Sequence, residues 1–333
     1  MENFIKQTWL ILLLAVGLTM PSVGQWKTVI HKKQKYVYSS QIPSYYHEFG
    51  FTRSMPRSNK IRFTAKNKMT IIDFTLGSQE VFLNGIKFDF AYPVIIHNGK
   101  FLISQIDLVK LINPILRPSY IKNGSILKTV IIDPGHGGKD PGTTNRYGYE
   151  KNFNLALAKR LRYKLVNKGF NVVMTRTGDQ TISLSERVTF ANRYQDAIFV
   201  SLHFNSGGAG QAYGIETFTL SPAGVAHYGR GLRAKDLEQR AGNAQDSSNI
   251  ALATAIHGRA IRKLNAKDRG IRRARFEVIT GIKHPGILFE GGFMSNYKEA
   301  SLIRDPSYQD TMAQAIFEGI VLYKTATEKN RLR

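Results

Sequence analysis

The 333-residue chain contains no cysteine. That excludes disulfides, thiol catalysis, cysteine-ligated zinc, iron–sulfur clusters and lipidation at an N-terminal cysteine. Any metal must be held by His, Asp, Glu or backbone oxygen. Acidic side chains are scarce as well, with 24 Asp+Glu against 47 Lys+Arg and a formal charge of +23. Long apolar runs are missing. The run Trp9 to Leu18 (WLILLLAVGL) falls short of the roughly 20 residues that a bilayer-spanning helix needs. Lys6 precedes it, and Pro21, Ser22 and Gly24 follow. This is the layout of an export signal over residues 1–24, cleaved after Gly24, with an uncleaved anchor as the alternative.

What remains is globular in composition, 42% hydrophobic and 21% charged. The positive charge is spread along the chain, 15 basic against 5 acidic side chains over 26–126 and 31 against 18 over 127–333. Basic chains bind polyanions. Export argues against nucleic acid and for anionic wall or envelope polymers, in the periplasm or cell wall. Simple solubilising charge is the competing explanation.

Two regions with different grammar follow. From 25 to 112 the chain is rich in short strand-like pieces: Lys35–Ser39, Ile61–Ala65, Met69–Leu76 and Glu80–Leu83. Asn84-Gly85 between apolar flanks predicts a tight hairpin, and His97-Asn98-Gly99 another tight turn. Ser104–Leu111 reads as a short helix. The expected unit is a small β-rich module with one helix. Phe82-Leu83-Asn84-Gly85 with Tyr92-Pro93-Val94-Ile95-Ile96-His97-Asn98-Gly99-Lys100 resembles the domain family named after the N-terminal domain of copper amine oxidases. The resemblance brings no copper chemistry, because His97 is the only candidate ligand in it. Residues 113–126 read as a linker and 326–333 as a basic tail.

From 127 to 325 strands and helices alternate. Thr129–Ile132 is a continuous apolar run, as in a strand buried on both faces. Phe153, Leu157, Leu161 and Leu165 repeat every four residues and Gly169 follows, which predicts a helix over 151–168. Ser183 and Glu186 form a capping-box pattern opening the next helix. Asn171–Thr175, Ala197–Leu202, Ile215–Leu220, Phe276–Ile279 and Gly286–Phe289 read as strands. Ser248–Leu264 and Ser307–Tyr323 read as helices. The expected fold is α/β, a mostly parallel sheet covered by helices on both faces.

Four polar residues sit where such a sheet places its ligand site, beyond the C-terminal ends of strands. They are His136 after the first strand, Glu150 before the first helix, His203 at the end of Phe199–Leu202 and Glu290 at the end of Ile287–Phe289. Two histidines and a carboxylate make a catalytic zinc set with one open position. A second carboxylate near that position is suited to general acid–base work, and the reaction class is amide hydrolysis. A phosphate loop is not indicated, since Gly138-Lys139 is followed by Asp140 rather than Ser or Thr.

The motifs are specific. Val130-Ile131-Ile132-Asp133-Pro134-Gly135-His136-Gly137-Gly138, Glu150-Lys151-Asn152, Ser201-Leu202-His203-Phe204-Asn205-Ser206 and Phe289-Glu290-Gly291-Gly292-Phe293 occur in this order. Residues 127–325 thereby resemble the zinc-dependent N-acetylmuramoyl-L-alanine amidases of the cell-wall hydrolase type, with a fold like that of zinc exopeptidases. The resemblance implies one Zn2+ per chain on His136, Glu150 and His203, with Glu290 as catalytic base. It implies peptidoglycan as substrate, cut between the lactyl group of N-acetylmuramic acid and L-alanine, and leaves room for a protein activator. Phe204 and Gly291 depart from the family pattern, in opposite directions of size. Arg187 and His284 read as structural. Two other readings stay open here: a zinc peptidase cutting within the stem peptide, and a silent wall-binding protein. The basic, glycine-rich stretch 221–249 reads as a glycan-binding segment or a gate over the site, or as a plain surface excursion.

Overall fold

Asn84 and Gly85 both adopt left-handed backbone, φ 49° and 79°, as a two-residue hairpin requires. They join two strands of a small N-terminal unit. The computed structural model describes residues 26–121 and 127–331, so the expected export signal lies outside it. The chain divides into two compact units, one ending at Tyr120 and the other beginning at Ile121.

The first unit holds nine strands: β1 (Thr28–His31), β2 (Gln34–Tyr38), β3 (Thr52–Arg57), β4 (Lys60–Thr64), β5 (Ile71–Thr75), β6 (Glu80–Leu83), β7 (Ile86–Asp89), β8 (Ile95–His97) and β9 (Lys100–Ser104). β3 to β7 form an antiparallel meander, each strand paired with the next. β1, β2, β9 and β8 form a second antiparallel sheet in that order. Alternation drives the packing. Ile61 and Phe63, Ile72 and Phe74, and Val81 and Leu83 are buried, while the residues between them are not. Ser104 caps the expected helix by accepting a bond from the Asp107 amide, 3.2 Å. That helix does not stop at Leu111. Leu108–Ile112 continues it, and Asn113–Leu116, expected in the linker, is helical and buried in the same unit. Its four side chains are too apolar or too well bonded to be left in water; Asn113 accepts from the Tyr46 hydroxyl at 2.6 Å.

The second unit contains the strands β10 (Thr129–Pro134), β11 (Thr144–Asn145), β12 (Gly148–Tyr149), β13 (Asn171–Met174), β14 (Ala197–Asn205), β15 (Ile215–Leu220), β16 (Asp268–Ala274) and β17 (Gly286–Phe293). Its main helices are α1 (Glu150–Asn167), α2 (Leu184–Ala191), α3 (Asp246–Leu264), α4 (Tyr297–Ile303) and α5 (Pro306–Arg331). The sheet order is β13-β10-β14-β17-β15-β16. All pairings are parallel except β15 with β17. α1 and α3 lie on one face with α5 packed across both. On the other face Ile131, Phe199 and Leu288 pack with Ala191 of α2 and with Val278 and Ile279. The Ser183 capping box forms as expected.

Two further sequence expectations are corrected. Phe276–Ile279 is not a strand: Phe276 precedes a helical turn, Glu277–Thr280. The strand is β16, whose Arg269, Arg272 and Arg273 hide its pattern, because Arg272 and Arg273 are buried although their type reads as surface. The closing helix also runs on to Arg331, through most of the expected tail, and Ala326 and Thr327 are buried in it. Among the described residues, no helix is long and apolar enough to cross a membrane.

Candidate metal centre and catalytic site

Parallel pairing brings the ends of three strands level. Pro134 of β10 is in register with Leu202 of β14, and His203 with Glu290 of β17. His136 lies two residues beyond β10 in left-handed backbone, φ 61°. That turn points its ring back over the sheet edge. Glu150 is the first residue of α1. His136 Nε2 is 3.1 Å and His203 Nδ1 3.0 Å from Glu150 Oε1. One ligand atom from each of the three lies within 4.8 Å of the others. Sequence motifs up to 67 positions apart thus converge on one point.

The loop is built to allow this. A side chain on Gly135 would collide with the His203 ring, and one on Gly142, φ +65°, would come within 2.6 Å of His136 and 2.7 Å of Glu150. Two buried arginines hold the loop by its carbonyls. Arg187 donates to Pro134 O at 2.8 Å, to His136 O at 2.6 Å and to Asp133 Oδ1 at 2.6 Å. Arg176 donates to Pro134 O at 2.9 Å and to Gly135 O at 2.8 Å. Asp133 is completed by Thr175 and Ser201, at 2.6 and 2.8 Å.

Outer partners orient the three residues. His136 Nδ1 faces Asp140 Oδ2 at 2.7 Å, leaving Nε2 turned inward. Glu150 accepts from the amides of Thr143 and Phe204 and from Asn154. Burial alone would raise the Glu150 carboxyl; the two histidines outweigh it and hold it well below the ordinary range. Burial works against the His136 cation too, yet Glu150 and Asp140 raise its pKa. A carboxylate between two imidazoles, with outer donors already in place, is a donor set that suits a divalent cation such as zinc.

Glu290 is different. Its Oε2 is buried with no hydrogen-bond partner among the described residues. Burial pushes its carboxyl well above the ordinary value, and the charges of Glu150 and Glu216 add to this. Glu216 is its register partner on β15 and is itself bonded to Arg269, to Arg272 at 2.5 Å and to Asn205 at 3.1 Å. Glu290 therefore favours holding a proton.

A family profile described as N-acetylmuramoyl-L-alanine amidase matches residues 130–321. The chain belongs to this family. It is 30% identical to the N-acetylmuramoyl-L-alanine amidase AmiA of Escherichia coli, over 66% of this chain and 84% of that one. The catalytic domain of CwlV, an N-acetylmuramoyl-L-alanine amidase from Bacillus (Paenibacillus) polymyxa var. colistinus, is 34% identical with a TM-score of 0.50. That match covers 59% of this chain and 97% of that domain. The CwlD amidase of Clostridioides difficile, solved in complex with the GerS lipoprotein, is 27% identical with a TM-score of 0.50, over 60% of this chain and 98% of that one. The amidase is thus a peptidoglycan hydrolase, and the α/β fold is that of its relatives.

Sequence reasoning did not find Arg176, Asp140, Asn154 or Glu216 as parts of this site. Only Asp140 left a signal, its spacing of four from His136. The exchange at Phe204 and Gly291 has a direct geometric form. A side chain on Gly291 would come within 2.9 Å of the Phe204 ring and 2.7 Å of Met312 Sδ. The larger residue on β14 occupies the space that the smaller one on β17 leaves.

The stretch 221–249 does not lie over the site. β15 runs antiparallel to β17, so its Glu216 end faces the site and its Leu220 end faces away. The stretch leaves from Leu220 and is held at that far end. Gln245 donates to Lys283 O at 3.1 Å, and Asn249 accepts from Gly286 N at 2.7 Å, at the start of β17. The gate reading is therefore excluded by strand direction.

Proposed function

We propose that this amidase is an exported zinc enzyme in which His136, Glu150 and His203 hold the metal and Glu290 is the catalytic acid–base. The observation that carries the reading is the buried, unpartnered Glu290 carboxyl in register with His203. Zinc at such a set acts as a Lewis acid toward water and carbonyl oxygen. Glu290 accepts a proton from the water whose oxygen adds to the lactyl carbonyl carbon. It then delivers that proton to the L-alanine nitrogen as the C–N bond breaks, releasing a free amine and a lactyl carboxylic acid that gives its proton to solvent. Its raised proton affinity suits the delivery half of this cycle. Asp140 fixes the His136 ring, and Arg187 and Arg176 fix the backbone that carries it.

Residues 1–24 act as the export signal, the first unit, which ends at Tyr120, as the β-rich module and the second, from Ile121, as the catalytic domain, with action in the periplasm or cell wall. The basic surface keeps the protein near anionic wall polymers. A protein partner is in keeping with the CwlD–GerS complex.

The test is digestion of purified peptidoglycan by residues 25–333, with and without chelator, read by mass spectrometry. Free stem peptides beginning with L-alanine, lost on chelation and restored by zinc, are expected. Shorter peptides, or full activity after chelation, would overturn the proposal.

A further inference from the structure

The hairpin β11–β12 stands immediately before Glu150, and its far side is fixed to the end of the strand that carries Glu290. Asn145 Nδ2 donates to Met294 O at 2.8 Å, and the Tyr147 amide donates to Asn145 Oδ1 at 2.8 Å. At its tip, Arg146 lies over two rings, 4.7 Å from the centroid of Tyr147 and 4.1 Å from that of Tyr297 at the start of α4. Arg304 lies over Tyr147 from α4's end, 4.5 Å away. Both arginines are exposed, and Tyr297 is 62% exposed.

Neither guanidinium has a carboxylate partner among the described residues. The nearest groups to the Arg146 charge are the two tyrosines, with a bond to the Tyr147 hydroxyl at 2.6 Å. Arg146 spends donors on the tyrosine hydroxyls and adds its charge, whereas Arg304 donates to no side chain among the described residues, and its planar fork matches a carboxylate. Stacking also pre-orders the long side chains, so less freedom is lost on binding. The same stacking covers ring faces that a sugar would need. The surface is thus arranged for an anion rather than for a glycan.

From Glu290 to Met294 the strand advances about 13 Å. An extended peptide covers that distance in about four residues. We propose that Arg146, Tyr147, Tyr297 and Arg304 form a subsite holding a carboxylate in the distal half of the stem peptide. This rests on the amidase reading of the adjacent centre and extends it to substrate choice: free-acid stems over amidated ones.

The experiment is titration calorimetry on the full mature chain with L-alanyl-γ-D-glutamyl-meso-diaminopimelyl-D-alanine, as free acid and with its carboxylates amidated. Arg146→Gln and Arg304→Gln should each weaken free-acid binding about fivefold, the order expected of an exposed charge-assisted pair. They should leave binding of the amidated peptide unchanged. Equal effects on both peptides, or none, would overturn the subsite. So would loss of binding to a peptide-free glycan in Tyr297→Leu with the arginine variants neutral, which would make the surface a sugar platform. Binding does not need turnover. Charge-selective binding without cleavage of the lactyl amide would keep the subsite and overturn the mechanism. Cleavage without charge selectivity would do the reverse.

Discussion

At one end of the catalytic sheet Glu290 is buried beside Glu150 and Glu216, and its Oε2 bonds to nothing among the described residues. At the other end Asp236 is buried more completely, 1% exposed, and both its oxygens are bonded. Arg230 donates to Asp236 Oδ1 at 2.8 Å and Oδ2 at 2.5 Å, the Arg233 amide donates at 2.8 Å, and Arg275 lies 3.0 Å away. One carboxyl is pushed up by burial; the other is held well below its ordinary value by Arg230. What separates the two is the charge around them: Glu150 and Glu216 beside Glu290, Arg230 and Arg275 beside Asp236.

The largest break of this comparison is at Glu290. Glu290→Gln keeps shape and removes the proton-transfer group, so kcat should fall by about 10²–10⁴. Zinc content after dialysis should stay near one per chain. Metal loss in this variant would recast Glu290 as a ligand.

Asp236→Ala should do the opposite, costing stability and leaving activity alone. Removing one partner of a buried ion pair costs about 3–5 kcal/mol, read as a lowered urea midpoint, while kcat of the folded fraction stays that of the parent. The pH dependence has a definite sign. The folded Asp236 pKa lies below the unfolded value of 3.8, so its stabilisation is present above that value and is lost as pH falls through the lower folded one. Asp236→Asn should therefore flatten the acid limb of the stability profile. A variant that loses activity at full folding would show that the far end communicates with the site.

These two ends differed in legibility. The convergence of His136, Glu150, His203 and Glu290 was readable because each sits at a predictable place relative to a strand or helix. The capping box at Ser183 and the Asn84-Gly85 turn were readable because turn chemistry is local. β16 was not, since Arg272 is buried only because Glu216 waits for it on the neighbouring strand, and Arg273 is buried beside it. The place of 221–249 was not readable either. It depends on β15 running antiparallel to β17, and a single strand's direction leaves no mark in its own residues. Asn113–Leu116 looked like linker because Asn-Pro is a turn signal, yet proline is tolerated in a helix's first turn.

A smaller effect tests the scaffold under the site. Arg187→Lys keeps the charge and loses the fork that reaches Asp133, Pro134 and His136 at once. Zinc affinity should drop about tenfold, as for outer partners of metal ligands generally, measured by competition with a chromogenic chelator. An unchanged affinity would mean that Arg176 alone suffices to hold the His136 loop.

The smallest effect belongs to the packing just behind Glu290. Gly291→Ala places a methyl 2.7 Å from Met312 Sδ and 2.9 Å from the Phe204 ring, which is tighter than packed atoms tolerate. The methionine is flexible and gives way; the ring is held on β14 between His203 and Asn205 and does not. The expected cost is about 1 kcal/mol, at the low end for overpacking. Phe204→Leu alone leaves a void and should also destabilise. The two together should recover most of the loss, because each removes the other's fault. A double-mutant cycle on thermal midpoints reads the coupling, and additivity would mean that the two departures from the family pattern are unrelated. Coupling would show that they arose as one change of volume, on the two strands that carry His203 and Glu290.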